Sequence, residues 1–247
     1  MKKKEYVIAI VVFIFVAIGV GVLAFVGGKH SPATGSKETV SDAKTEKWQE
    51  GVIEYNGKHY KYNNHIKSYL FMGIDKSGVA EEIPSGGNAG QSDVLFLLVQ
   101  DKKNETLSLI AINRNTMAEI DTYDINNNKT GSTTAQICLQ HSYGDGARLS
   151  CGYTVDAVSR LFYDIPISGY YSMNMDGISI LNDAVGGITV DVLEDLSDAS
   201  KGVNLHQGDT VTLTGKEAYV YIRSRDVDKF NSATERLERQ KQYIEAL

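Results

Sequence analysis

Four arginines crowd one carboxyl-terminal stretch of the sequence, Arg223 and Arg225 in YVYIRSRD and Arg236 and Arg239 in ERLERQ. A guanidinium offers a planar fork of N–H donors that matches phosphate oxygens two at a time. Far upstream, polar residues punctuate three apolar runs. Asp75 closes SYLFMGID, Asp93 stands at the start of SDVLFLLVQD, and Arg114 closes TLSLIAINR. One or two carboxylates are what a protein usually gives to magnesium, the other ligands being phosphate oxygens and water. Together these residue types suit a pyrophosphate gripped between a divalent cation, magnesium or manganese, and several guanidinium forks. Taken singly, each Asp is an ordinary turn residue. The helical arginines then read as a solvated face that Glu235 and Glu238 neutralise.

The elements that must position these groups are legible in part. The three apolar runs are continuous rather than alternating, which suits strands buried on both faces. TAQICLQHSYG, GYTVDAVSRLFY and ISILNDAVGG read as helices, and ITVDV as a further strand. The expected fold is therefore α/β, a single layered α-β-α domain with a central mixed sheet and its ligands at the strand ends. Thr214 and Glu217 form a capping-box signature for a helix through EAYVY; Ser232 and Glu235 form a second one for the last helix. On that helix Arg236, Arg239 and Gln240 share one side. If the chain is extended at Arg223-Ser224-Arg225, both arginines face one way about 7 Å apart; if helical, they diverge. His141 and Tyr143, in QHSYGD, either pack a helix end or line an entrance.

A formal charge of −6 argues against general attraction to nucleic acid. The start is MKKKE followed by an uncharged apolar run from Tyr6 to Val26. That run is long enough to span a bilayer, with the lysines holding the amino terminus in the cytoplasm and the rest outside the cell membrane. A cleaved signal peptide ending near Val22-Leu23-Ala24 is the competing reading. The expected divisions are a basic tail (1–5), a single-pass transmembrane anchor (6–27), a polar tether (28–50), a hairpin turning at Asn56-Gly57 (51–67) and the main domain (68–247), whose final helical pattern is expected to continue past Leu247. Cys138 and Cys151 suit one disulfide in an oxidising exterior, or two unpaired thiols. No G-x-G-x-x-G or Walker loop follows a strand, which speaks against nucleotide binding.

In order along the chain, Met72 to Asp75 (MGID), Gln91-Ser92-Asp93-Val94, Ile112 to Thr116 (INRNT), Asp176-Gly177 with Val185 to Asp191, Thr214 to Arg225, and Arg236 to Gln240 (RLERQ) resemble the motifs of the LytR-CpsA-Psr family of cell-wall glycopolymer transferases. The resemblance implies an extracytoplasmic enzyme of a Gram-positive type envelope. It would take a teichoic-acid or capsule-like glycopolymer from a polyprenyl-pyrophosphate carrier and join it to peptidoglycan, with pyrophosphatase activity as a side reaction. It implies magnesium on Asp75 and Asp93, catalytic pyrophosphate contacts from Arg114, Arg223 and Arg225, and support from Arg236, Arg239 and Gln240. Two departures stand out. Gln91 occupies a position where the family has arginine, with Lys76 as a nearby compensating cation, and Asn113 and Asn115 replace a proline and an aspartate around Arg114. An amide cannot act as a carboxylate base, so the rival reading is a non-catalytic lipid-pyrophosphate binder or envelope regulator.

Overall fold

The computed structural model describes residues 52–78, 81–84, 88–226 and 228–247. The expected tail, anchor and tether lie outside these residues; among the described ones no helix is long and apolar enough to cross a membrane. Strands β1 (Val52–Tyr55) and β2 (Lys58–Lys61) form the hairpin expected at Asn56-Gly57. Both turn residues have positive φ, as a tight hairpin turn demands.

Side chains alternate across a strand, so SYLFMGI divides into Leu70, Met72 and Ile74 on one face and Tyr69, Phe71 and Gly73 on the other. This strand, β3 (Ile66–Ile74), pairs antiparallel with β4 (Ser92–Asp101), which pairs antiparallel with β5 (Thr106–Ile112). β6 (Met117–Tyr123) and β7 (Lys129–Gln136) form a separate ribbon. After helix α1 (Arg148–Leu161), β8 (Ile167–Asn174) returns parallel to β3, completing a mixed sheet in the order β5-β4-β3-β8.

Leu70, Met72 and Ile74 join Leu95, Leu97 and Ile112 beneath Val155, Ala157 and Val158 of α1 in one hydrophobic core. Across the sheet a second core is built from α2 (Asp176–Ala184), β9 (Ile188–Asp191), β10 (Leu196–Asp198), β11 (Val203–Leu205), β12 (Thr210–Leu213), α3 (Gly215–Arg223) and α4 (Ser232–Ala246). The result is an α-β-α layering with a core on each side of the mixed sheet.

Four local expectations are corrected. The run TLSLIAI is an edge strand, not one buried on both faces, and Leu107 and Ile110 remain exposed. TAQICLQHSYG splits into the end of β7 and a 3-10 turn, Ile137–Ser142, because Thr133 to Gln136 pair with β6. The second capping box does not form: the cap is Asn231 in the left-handed region, and Glu235 pairs with Lys229 at 2.8 Å. Cys138 and Cys151 are both free and buried. Each thiol has its own neighbour, Gln91 Oε1 at 3.8 Å for Cys138 and His141 Nε2 at 3.7 Å for Cys151.

Candidate functional site

β3 runs parallel to β8 and antiparallel to β4, so the ends of β3, β5 and β8 and the start of β4 meet at one edge of the sheet. Ile74 lies opposite Ser92 and Asn174, and Leu95 opposite Ile112. The register delivers Asp75, Asp93, Arg114 and Met175 to that edge. A cavity of about 760 Å³ opens there, between the second face of the sheet and helices α2 and α4. Its inner walls are apolar, with Phe71, Val94, Phe96 and Tyr171 on the sheet and Leu181 and Tyr243 opposite. Its rim carries Asp75, Asp93, Arg223, Arg225, Arg236 and Glu235.

Each charged group is held by local structure. The capping box of α3 forms as the sequence predicts, Thr214 accepting from Glu217 and Glu217 from Thr214. Helix α3 ends at Arg223, and Ser224 turns to an extended conformation, so Arg223 and Arg225 both reach the cavity. The last carbonyls of α3 lack partners within the helix and must find them elsewhere. Helix α4 supplies them: Arg239 Nε donates to the Tyr221 carbonyl at 2.8 Å, its Nη2 to the Ser224 carbonyl, and Gln240 Nε2 to the Ile222 carbonyl at 3.2 Å. Arg239 is 1% exposed and ion-paired with Glu194, and burial lowers its pKa to about 10. It stays charged at neutral pH.

The stripe Arg236, Arg239 and Gln240 is thus buried, not solvated. Arg236 Nη1 lies 3.5 Å from Asp93 Oδ2. Burial pushes its guanidinium below the usual value, Asp93 opposes that, and the cations of Arg114 and Arg225 add to the downward push. Asp93 also receives Arg114, whose other nitrogen donates to Gln91 Oε1 at 2.6 Å. Asp75 is exposed; its Oδ1 accepts from the Gln91 backbone at 2.6 Å. Gln91 therefore ties Asp75 to Arg114 from behind.

Nine of the residues singled out by sequence converge on this edge, in two shells. Asp75, Asp93, Arg223, Arg225, Arg236, Arg239 and Gln240 line the cavity, whereas Arg114 and Gln91 stand behind Asp93. Lys76 does not compensate for Gln91: its Nζ donates to the Asn88 carbonyl at 2.6 Å, and it is not part of the cavity wall. Asn113 folds over its own loop, accepting from the Asn115 backbone at 2.9 Å. His141 is fully buried against the Gly90 carbonyl at 3.1 Å, and Tyr143 leans on Tyr123, so both pack rather than line an entrance. Sequence reasoning missed Glu194 and Met175, whose sulfur lies 3.0 Å from Arg223 Nε. Neither belongs to a spaced motif. It also missed the aromatic floor, although the alternation Tyr69, Phe71, Gly73 was there to be read.

Among the described residues no group of three or more His, Cys, Asp or Glu is placed to share a metal. Asp75 and Asp93 line the cavity with hard carboxylate oxygens, the donor type of which magnesium takes one or two from a protein, and Asp93 is at the same time paired with Arg114 and Arg236.

A model described as the LytR_cpsA_psr family matches residues 25–247. The chain is 34% identical over 185 residues to a polyisoprenyl-teichoic acid–peptidoglycan teichoic acid transferase, TagV, of Bacillus subtilis, covering 73% of this chain and 42% of that protein. It is 32% identical over 180 residues to the similarly named TagU of Halalkalibacterium halodurans, covering 73% of this chain and 51% of that one. It spans about half the length of these curated relatives. Among solved structures, the crystal structure of B. subtilis TagV aligns with a TM-score of 0.58 at 30% identity over 75% of this chain and 64% of that one. A family protein, YwtF (TagT), with bound octaprenyl pyrophosphate lipid shares the fold with a TM-score of 0.52 at 22% identity, covering 76% of this chain and 66% of that one.

Proposed function

Because the chain belongs to the LytR_cpsA_psr family, we propose that it is a membrane-anchored, extracytoplasmic transferase that moves a teichoic-acid or capsule-like glycopolymer from a polyprenyl-pyrophosphate carrier to peptidoglycan. One observation carries the reading: a single cavity combines apolar walls with a rim of guanidiniums and carboxylates. That combination suits an amphipathic ligand with a phosphate head and a hydrocarbon tail. The names of the relatives support the donor and acceptor classes.

In this reading a peptidoglycan hydroxyl attacks the glycosyl-side phosphorus of the donor. A new P–O bond forms, the bond to the bridging oxygen breaks, and prenyl phosphate leaves with the electron pair, the proton lost by the hydroxyl passing to the departing phosphate or to solvent. Water in place of the sugar gives the pyrophosphatase side reaction. Arg223 and Arg225 meet the phosphates at the mouth, while Arg236 sits deeper beside Asp93. Phosphoryl transfer depends mainly on positioning and on stabilising spread negative charge, which is what fixed guanidiniums supply. Arg239 and Gln240 fasten the end of α3 and so hold Arg223 in place. Magnesium or manganese on Asp75 and Asp93 would neutralise further phosphate charge when bound.

A non-catalytic lipid-pyrophosphate binder is favoured by one observation, that Arg114 is held by Asp93 and Gln91 outside the cavity wall. Incubation of the purified chain with labelled prenyl-pyrophosphoryl sugar and peptidoglycan fragments, with and without a chelator, separates the two. Chelator-sensitive transfer supports the transferase; retained donor without product supports the binder; no donor retention removes both.

A further inference from the structure

The floor of the cavity is uneven. Nearest the mouth the β3 position is Gly73, and a Cβ there would meet Val94 Cβ at 2.9 Å and Cγ2 at 3.0 Å, so a side chain at this position would displace Val94. Two residues further in, Phe71 faces Phe96 across one ladder and Tyr171 across the other. Phe71 and Tyr171 stack with ring centroids 5.0 Å apart and planes 23° from parallel. The three aromatics form a bar across β4, β3 and β8. The next row on the same face, Tyr69, Leu98 and Gly169, is not part of the cavity wall. The cavity floor is therefore aliphatic at its charged mouth, where Val94 and Met173 flank Gly73, and aromatic at its inner end.

Resting on the lipid-pyrophosphate reading above, we infer that the stacked Phe71–Tyr171 pair is the specificity determinant for prenyl length, meeting the tail a fixed distance from the headgroup. Ile74, at the polar edge, is three residues from Phe71, about 10 Å along a strand. An isoprene unit adds four chain bonds, roughly 5 Å when extended at ordinary carbon–carbon lengths. Two units thus lie over the aliphatic stretch behind the headgroup, and the third meets the rings. Units before the bar are buried in the cavity and add to affinity; units beyond it leave the cavity and add little.

The test titrates the purified full chain with dimethylallyl, geranyl, farnesyl and geranylgeranyl diphosphate, reading Kd by calorimetry. In the unaltered protein affinity rises about tenfold or more from the first to the second, consistent with burial of five carbons, and by less than about threefold from the third to the fourth. In Phe71→Ala the flattening moves at least one isoprene unit further out. Tyr171→Leu, which retains an apolar side chain, moves it in the same direction and serves as the second variant should Phe71→Ala fail to fold. The same dependence on tail length in the unaltered protein and both folded variants overturns the inference and leaves the lipid reading standing. If the unaltered protein binds none of the four diphosphates, the lipid reading itself falls.

Discussion

The two faces of the central sheet are made by the same strands and treated in opposite ways. On one, Leu70, Leu95 and Leu97 are fully buried under α1, leaving no room for a guest. On the other, Phe71, Gly73 and Val94 look across about 760 Å³ of space to α2 and α4. Protein interiors pack at crystal-like density, so open volume beside a sheet forgoes dispersion contacts that the closed face collects. The difference assigns stability mainly to the α1 side and binding to the α4 side.

Substitutions on the two faces test that division. Leu97→Ala on the closed face should cost about 2–5 kcal/mol in urea unfolding, whereas Val94→Ala, which only enlarges an existing space, should cost less than about 1 kcal/mol; equal costs would erase the distinction. At the mouth, Arg225→Ala should lower kcat/KM for a prenyl-pyrophosphoryl donor by about 10²–10³ while leaving stability within about 0.5 kcal/mol. A comparable loss of stability would make Arg225 structural.

The closed side should also carry an acid sensitivity. Burial lowers the His141 pKa from 6.5 to about 4. Between those values the unfolded chain binds a proton that the folded chain does not, so stability falls as pH drops from about 6.5 toward about 4 and is level above that window. The loss should reach on the order of 2–3 kcal/mol by the lower end, and His141→Gln should flatten this part of a melting-temperature profile. The smallest effect belongs to the cap of α3: Thr214→Ala should cost about 1 kcal/mol in urea unfolding and change Kd for geranyl diphosphate by less than about threefold, since the helix end near the mouth is secured from α4.

Motif residues placed at strand ends were readable, because strand termini and antiparallel register carry them to one edge without knowledge of the packing. Asp75, Asp93 and the Thr214–Glu217 cap followed from sequence for that reason. What escaped depends on neighbours distant in the chain. Continuous apolar runs could not separate a packed face from an open one, since Leu97 and Val94 are equally apolar, nor reveal that β5 is an edge. The roles of Arg239 and Gln91 turn on carbonyl and guanidinium partners that no local spacing announces. An oxidising exterior suggested a bridge between the two cysteines, yet the 3-10 turn and α1 give them different neighbours.

The fastening of α3 by Arg239 and Gln240 has a bearing on synthesis. The sheet and its α1 layer are encoded before residue 175, so a growing chain can complete that half early. The collar of positive charge has to wait until Gln240 has left the ribosome, because the helix that aims Arg223 is tied down only then. A chain that stops before α4 would keep the sheet and its α1 layer but leave the last carbonyls of α3, and so the aim of Arg223, without their partners.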